Sequence, residues 1–167
     1  MKLLSLSALL LTSVLIHSNS YALIDDIKKE AQISANNQNI DLGKNIAIYK
    51  GNVKIKQGSI EIIAEYLKVY NHGRRGEEVM VFTGEPAKFS QIMDDGTRIL
   101  TTANEIKFER ATNLVKLTHD VTVNWGDNIV TGDVIHYDID KRILNADGNK
   151  KKDEQVTTIL QPKNGDK

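Results

Sequence analysis

The segment Glu105-Ile106-Lys107-Phe108-Glu109 alternates charged and apolar side chains. A period of two places one set of side chains on a buried face and the other in water, as in an antiparallel strand with one solvated side. The same alternation recurs in segments 53–56, 67–69, 87–90, 121–124 and 135–138. Gly, Asn and Asp residues typical of turns separate these segments. The sequence therefore predicts an all-β chain of antiparallel strands.

The predicted strands repeat weakly at an offset of 68 residues, so that Val53 aligns with Val121 and Gly58 with Gly126. In four places a small residue precedes an acidic residue or Asn and then alternating apolar residues, and we expect each to open a strand. These small residues are Ala35, Ala64, Ala103 and Gly132. Repeated strand modules of this kind build sandwiches, jelly rolls or solenoids, whose sides are paired and whose ends are open.

The first residues have the pattern of a secretory signal peptide. Lys2 precedes an apolar stretch over 3–16, and Ser20-Tyr21-Ala22 offers small residues at both positions that a signal peptidase reads. A retained membrane anchor is the alternative, but this stretch is shorter than the roughly 20 residues that a bilayer span needs. We predict that residues 1–22 are removed on export and that 23–167 form one soluble domain. Within it we expect a flexible tail after about residue 162 and a helix only at 23–31.

Composition excludes several classes of function. The 167 residues carry a formal net charge of +0 and no cysteine. The chain therefore has no disulfides and no thiolate metal site, and its balanced charge argues against nucleic-acid binding. The few residues that could serve as nucleophiles or bases lack the spacing of a known catalytic or metal motif. They are Ser34, Ser59, Ser90, His72, His119 and His136. We expect no catalytic residue, no metal and no cofactor.

The apolar positions of the predicted strands allow two interpretations. The ordinary one is that inward residues such as Val81 simply form a core. A sheet closed with aliphatic side chains can also leave a cleft for lipid chains, whose burial contributes about 0.8 kcal/mol per methylene.

The segment Thr83-Gly84-Glu85-Pro86-Ala87-Lys88-Phe89 resembles the G-x-P-A-x-F motif of the LptA family, the periplasmic lipopolysaccharide transport proteins of the OstA-like superfamily. The other similar segments are Tyr49-Lys50-Gly51-Asn52-Val53, Gln57-Gly58-Ser59-Ile60, Ala64-Glu65-Tyr66-Leu67 and the closing strand at 156–162. Their order and spacing agree with the family from about residue 31 to residue 162.

The resemblance implies a twisted antiparallel β-jelly roll, open at both ends, that works in the periplasm. Family members stack end to end through their terminal strands, a form of β-augmentation. They link an LptC-like inner-membrane protein to the N-terminal domain of an LptD-like outer-membrane receptor. Lipopolysaccharide then crosses the periplasm while the acyl chains of its lipid A lie in a shielded groove. Carried over by position, the expected lipid contacts are Phe89, Phe108, Ile33, Val53, Ile55, Leu67 and Val123.

The alternatives to this function are two other proteins with the same scaffold and one class of enzyme. An LptC-like protein would keep its N-terminal anchor, and an LptD-like protein would continue well beyond residue 167. A periplasmic polysaccharide-active β-solenoid enzyme would need Asp, Arg or Lys clustered on one sheet face, whereas the charges of this sequence are scattered. We therefore expect a lipopolysaccharide-binding bridge protein that is not an enzyme.

Overall fold

A computed structural model describes residues 26, 28–71, 73–93, 95–141, 143–149 and 153–161. These residues form ten strands of one antiparallel sheet, which confirms the all-β prediction. In chain order the strands are β1 (Gln32–Ser34), β2 (Asn37–Asp41), β3 (Ile46–Gln57), β4 (Ile60–Tyr70), β5 (Val79–Ile92), β6 (Arg98–Glu109), β7 (Leu114–Trp125), β8 (Asn128–Asp138), β9 (Ile143–Asp147) and β10 (Thr157–Ile159).

Three predictions fall on the ends of the chain. The signal peptide at 1–22 and the tail after residue 162 lie outside the described residues. So do most of the apolar positions of the helix expected at 23–31, although Asp26 and Lys28 have a helical backbone.

The strands pair in the order β1-β3-β4-β5-β6-β7-β8-β10, with β2 also paired to β3 and β9 also paired to β8. Each pair from β3–β4 to β7–β8 has a register shift near its middle. We call this line of shifts the crease. It lies between Lys50/Val53, Ile63/Tyr66, Thr83/Ala87, Thr102/Glu105 and Thr118/Val121.

The crease divides the sheet into two halves. The β2/β9 half consists of β2 and β9 together with segments 46–50, 66–70, 79–83, 105–109, 114–118 and 134–138. The β1/β10 half consists of β1 and β10 together with segments 53–57, 60–64, 87–92, 98–103, 121–125 and 128–132. Because bulges bend strands and increase their twist, the two halves face each other and form the expected β-jelly roll.

Small residues lie beside the crease, not at strand starts. Ala64, Ala103 and Gly132 are inside β4, β6 and β8, so the prediction that they open strands was wrong. Ala64 and Ala103 are buried, and a Cβ added to Gly132 would lie 3.1 Å from the carbonyl oxygen of Asp147. These three positions beside the crease therefore leave little room for larger side chains.

The weak repeat in the sequence is a repeat in the structure. Strands β7 and β8 begin and end 68 residues after β3 and β4. Positive φ angles recur at the same offset, in the pairs Asn45 and Asn113, Gly51 and His119, Asn52 and Asp120, and Gly58 and Gly126. A side-chain hydrogen bond from Asn52 to Asn36 (3.4 Å) has its counterpart from Asn104 to Asp120 (3.0 Å). The two bends of the sheet are therefore built alike, although His119 replaces a glycine.

The core lies between the two halves, close to the crease. Its largest fully buried side chains are Phe82, Leu67, Ile135, Val53 and Val121. Complete burial of such a side chain contributes about 1.5–3 kcal/mol, and contacts between residues of both halves hold the sheet folded.

The sheet is open at both ends of its strand order. Among the described residues, β1 and β2 are paired only to β3, and β9 and β10 only to β8. Each end therefore presents one unpaired edge made of two short strands.

Candidate functional site: a cavity between the two halves of the sheet

A cavity of about 600 Å³ lies between the two halves of the sheet. The β2/β9 half contributes Met80 and Phe108, and the β1/β10 half contributes Ile62 and Phe89. Turn residues beyond the strand ends, such as Ile139, also line it. The cavity therefore extends from the core beside the crease to a rim formed by the turns.

The cavity wall is mostly apolar, and its charges lie at the rim. Among the described residues, the charged side chains that line the cavity are those of Glu78, Asp95 and Arg110, each in a connection between strands. Arg110 Nε is 4.0 Å from the Glu78 carboxylate, and the Gly76 amide donates a hydrogen bond of 2.7 Å to the same carboxylate. An apolar interior with charges at its rim suits a ligand that has an apolar part and a polar head group.

Two buried neutral polar side chains line the wall of the β1/β10 half. Gln91 on β5 is 4% exposed, and Thr101 on β6 is 5% exposed. Both belong to the β1/β10 half, among Phe89, Ile99 and Val123.

Most of the residues expected to contact lipid meet in this cavity. Its lining includes Ile33, Ile55, Phe89, Phe108 and Val123.

The other two expected lipid contacts do not line the cavity. Val53 and Leu67 are 1% and 0% exposed and pack in the core beside the crease. Alternation places a residue on the inner face, but it does not distinguish filled core from cavity wall.

Phe82 is buried and lines the cavity, although the sequence predicted that the neighbouring Val81 points inward. Along β5 the inward positions are Met80 and Phe82 before the crease and Ala87 and Phe89 after it. The register shift between Thr83 and Ala87 changes which alternate positions face inward. The glycine and proline at 84–86 were the available signal for this change.

Asp26 fixes the segment before β1 to the rim of the β1/β10 half. Its buried carboxylate accepts hydrogen bonds from the hydroxyl of Ser59 and from Lys29 Nζ, the latter at 2.9 Å. Burial raises the pKa of Asp26, but the hydrogen bonds from Ser59 and Lys29 outweigh it, so the pKa is lowered from 3.8. Gln57, which lines the cavity, donates a hydrogen bond of 2.8 Å to the carbonyl oxygen of Lys29. This segment therefore borders the cavity.

Among the described residues, no group of three or more His, Cys, Asp or Glu side chains could hold a metal ion. None of them belongs to a helix with the length and apolar character needed to cross a membrane.

This chain is similar to one family profile and to several known proteins. A family profile described as LptA/(LptD N-terminal domain) LPS transport protein matches residues 32–143. The lipopolysaccharide export system protein LptA of Haemophilus influenzae is 34% identical over 165 residues, covering 97% of this chain and 95% of the relative. LptA of Escherichia coli K12 is 32% identical over 161 residues, covering 95% of this chain and 86% of the relative.

A solved structure has the same fold. It is the crystal structure of LptH, described as the LptA homologous periplasmic component of the conserved lipopolysaccharide transport device of Pseudomonas aeruginosa. The match has a TM-score of 0.74 at 23% identity and covers 82% of this chain and 99% of that chain. Since the family profile covers more than half of the chain and both LptA relatives exceed 30% identity over nearly all of it, this chain belongs to the LptA/(LptD N-terminal domain) family of LPS transport proteins.

Proposed function

We propose that this protein binds lipopolysaccharide in the periplasm and carries it from the inner to the outer membrane, with the acyl chains in the cavity between the two halves of the sheet. The apolar wall that extends from the core to an open rim is the observation that carries the proposal. Membership of a family of LPS transport proteins supports it.

The dimensions and chemistry of the cavity support an acyl-chain ligand. Its volume of about 600 Å³ lies within the range of small-molecule sites in proteins. Each buried methylene contributes about 0.8 kcal/mol, so a chain of roughly ten methylenes contributes about 8 kcal/mol before the ordering of the ligand is counted. The sugars and phosphates remain at the rim, where Glu78, Asp95 and Arg110 lie.

The two unpaired edges support assembly with other jelly-roll domains. An unpaired edge can accept a strand from another chain by β-augmentation. We propose that one end of this sheet pairs with an LptC-like inner-membrane protein and the other with the N-terminal domain of an LptD-like receptor. Head-to-tail copies of this chain would lie between them. The cavities of stacked sheets would form a continuous path.

In this proposal the protein is a carrier and not an enzyme. Its first 22 residues act as a signal for export. The energy for movement comes from its partners. No observation on the described residues favours the alternative of a polysaccharide-active enzyme.

Photo-crosslinking tests the placement of the lipid. A photoreactive amino acid at Phe89 or Phe108, which line the cavity, should label lipopolysaccharide in cells. The same amino acid at Lys54 serves as the control, since Lys54 is exposed and its Nζ is 2.5 Å from the carboxylate of Glu61. Equal labelling at all three positions would reject the cavity as the binding site.

A further inference from the structure

The cavity wall near the end of β5 contains two polar side chains that have no hydrogen-bond partner among the described residues. Gln91 and Thr101 are each more than nine-tenths buried and line the cavity. Within the part of the chain that the structure describes, neither side chain makes a hydrogen bond. The Thr118 hydroxyl is the one side-chain polar atom among the described residues that is fully enclosed without a partner, so the polar atoms of Gln91 and Thr101 reach the cavity. A ligand that covers them without forming hydrogen bonds would leave them unpaired, which is costly.

The two side chains are neighbours on one face of the sheet. In the β5–β6 ladder Gln91 is opposite Ile99 and Thr101 is opposite Phe89. Gln91 and Thr101 are therefore a diagonal pair, with a separation of about 7–8 Å that long side chains can span. Together they offer two amide N–H donors, an amide oxygen and a hydroxyl. A small polar group of a ligand fits between them.

Their surroundings limit the ligand to an amphiphile. Ile99 and Phe89 are on the same two strands, and Val123 is opposite Thr101 on β7. All three line the cavity, so the polar pair interrupts an otherwise apolar wall. Gln91 is also next to the last residue of β5, and the turn residue Asp95 belongs to the rim. The pair thus lies where the head-group end of a chain entering from the rim would sit.

We propose that Gln91 and Thr101 select acyl chains that carry a hydroxyl, ester or amide near their head-group end. A plain hydrocarbon chain would cover both side chains and leave them unpaired, whereas such a group forms hydrogen bonds with both. This inference rests on the proposed function and adds a specificity determinant to it.

Two fatty acids of equal length test the inference: tetradecanoic acid and 3-hydroxytetradecanoic acid, which differ by one hydroxyl. Their affinities are measured on the full-length protein by competition with a fluorescent fatty-acid probe. We expect the unsubstituted protein to bind the hydroxylated acid at least fivefold more tightly. The variants Gln91→Leu and Thr101→Val should each reduce this preference about threefold, and the double variant should abolish it. Binding of tetradecanoic acid should stay equal or become tighter.

Thr118→Val is the matched control. The hydroxyl of Thr118 is also buried without a hydrogen-bond partner in the described residues, but this side chain does not line the cavity. The control should keep the full preference, and thermal unfolding of every variant verifies that the fold is intact.

The results separate this inference from the proposed function. Equal affinity of the unsubstituted protein for the two acids would overturn the inference while leaving lipid binding in place. An unchanged preference in the double variant would also overturn it. Failure to bind both acids and lipopolysaccharide would overturn the proposed function and this inference with it.

Discussion

Gly58 lies directly against the carboxylate of Asp26, and a side chain at position 58 would overlap Oδ1 of that residue. The neighbouring Ser59 donates its hydroxyl hydrogen bond to Asp26 and accepts one of 3.2 Å from the amide of Ile92. Asp26 thus connects the segment before β1 to the β3–β4 turn and to the end of β5. All three elements belong to the rim of the β1/β10 half.

Gly58→Ala should destabilise the protein by about 2–4 kcal/mol, because it places a side chain at a positive φ of 61° and displaces the buried carboxylate. Gly96→Ala is the control, since Gly96 has a φ of 80° and no neighbouring atom within 4 Å of an added Cβ. The control substitution should lower the free energy of unfolding by only about 1 kcal/mol. Denaturant unfolding measures both. Equal losses would show that the Asp26 contact contributes nothing.

The charge of Asp26 should make stability depend on pH. The pKa of Asp26 in the folded protein is below 3.8, so its contribution is complete above that pH and is lost as the pH falls through the folded pKa. Asp26→Asn should lower the free energy of unfolding by about 1.5–3 kcal/mol at pH 7, the usual value of hydrogen bonds to a charged group. The difference in unfolding free energy between the two proteins should vanish in strong acid. A difference that is constant from pH 7 to pH 2 would contradict this.

The sequence predicted the strands because alternation is a local property, and Gly, Asn and Asp residues marked the turns between them. It did not predict the crease, since a register shift depends on how each strand pairs with its neighbours and not on local alternation. The consequence is clearest at β5, where the crease moves Phe82 inward instead of Val81. A bulge of this kind changes every inward position on one side of it.

Leu67 and Phe89 were expected to have the same role, but substitution should affect them differently. Leu67→Ala should cost about 2–5 kcal/mol of unfolding free energy, as for other fully buried leucines. Phe89→Ala should cost less, about 1–2 kcal/mol, because the ring is only partly buried and borders a cavity. Lipopolysaccharide binding, measured at a temperature where both variants are folded, should weaken severalfold only for Phe89→Ala.

The reverse pattern, with Leu67→Ala losing lipid and Phe89→Ala losing stability, would show that the cavity is not the binding site. Sequence could not separate these two residues, since both occupy inward positions of strands. The distinction depends on how far apart the two halves of the sheet lie at each point, which is set by the whole fold.

The unpaired edges should control self-association. Ile40 on β2 is 38% exposed, Ile159 on β10 is 46% exposed, and the two mark opposite ends of the sheet. A lysine on an edge strand opposes pairing with another chain, so Ile40→Lys and Ile159→Lys should each weaken self-association at least fivefold in sedimentation equilibrium. Ile63→Lys is the control, because Ile63 is 45% exposed on β4, which is paired on both sides.

A mixture of the two edge variants tests the direction of stacking. Head-to-tail assembly joins the β1/β2 end of one copy to the β9/β10 end of the next. Ile40→Lys keeps its β9/β10 end intact, and Ile159→Lys keeps its β1/β2 end intact. Each variant alone should therefore be monomeric, while the mixture should form one-to-one complexes that grow no further. Dimers of either variant alone would instead show that like ends pair, because a symmetric contact needs only the edge that this variant retains.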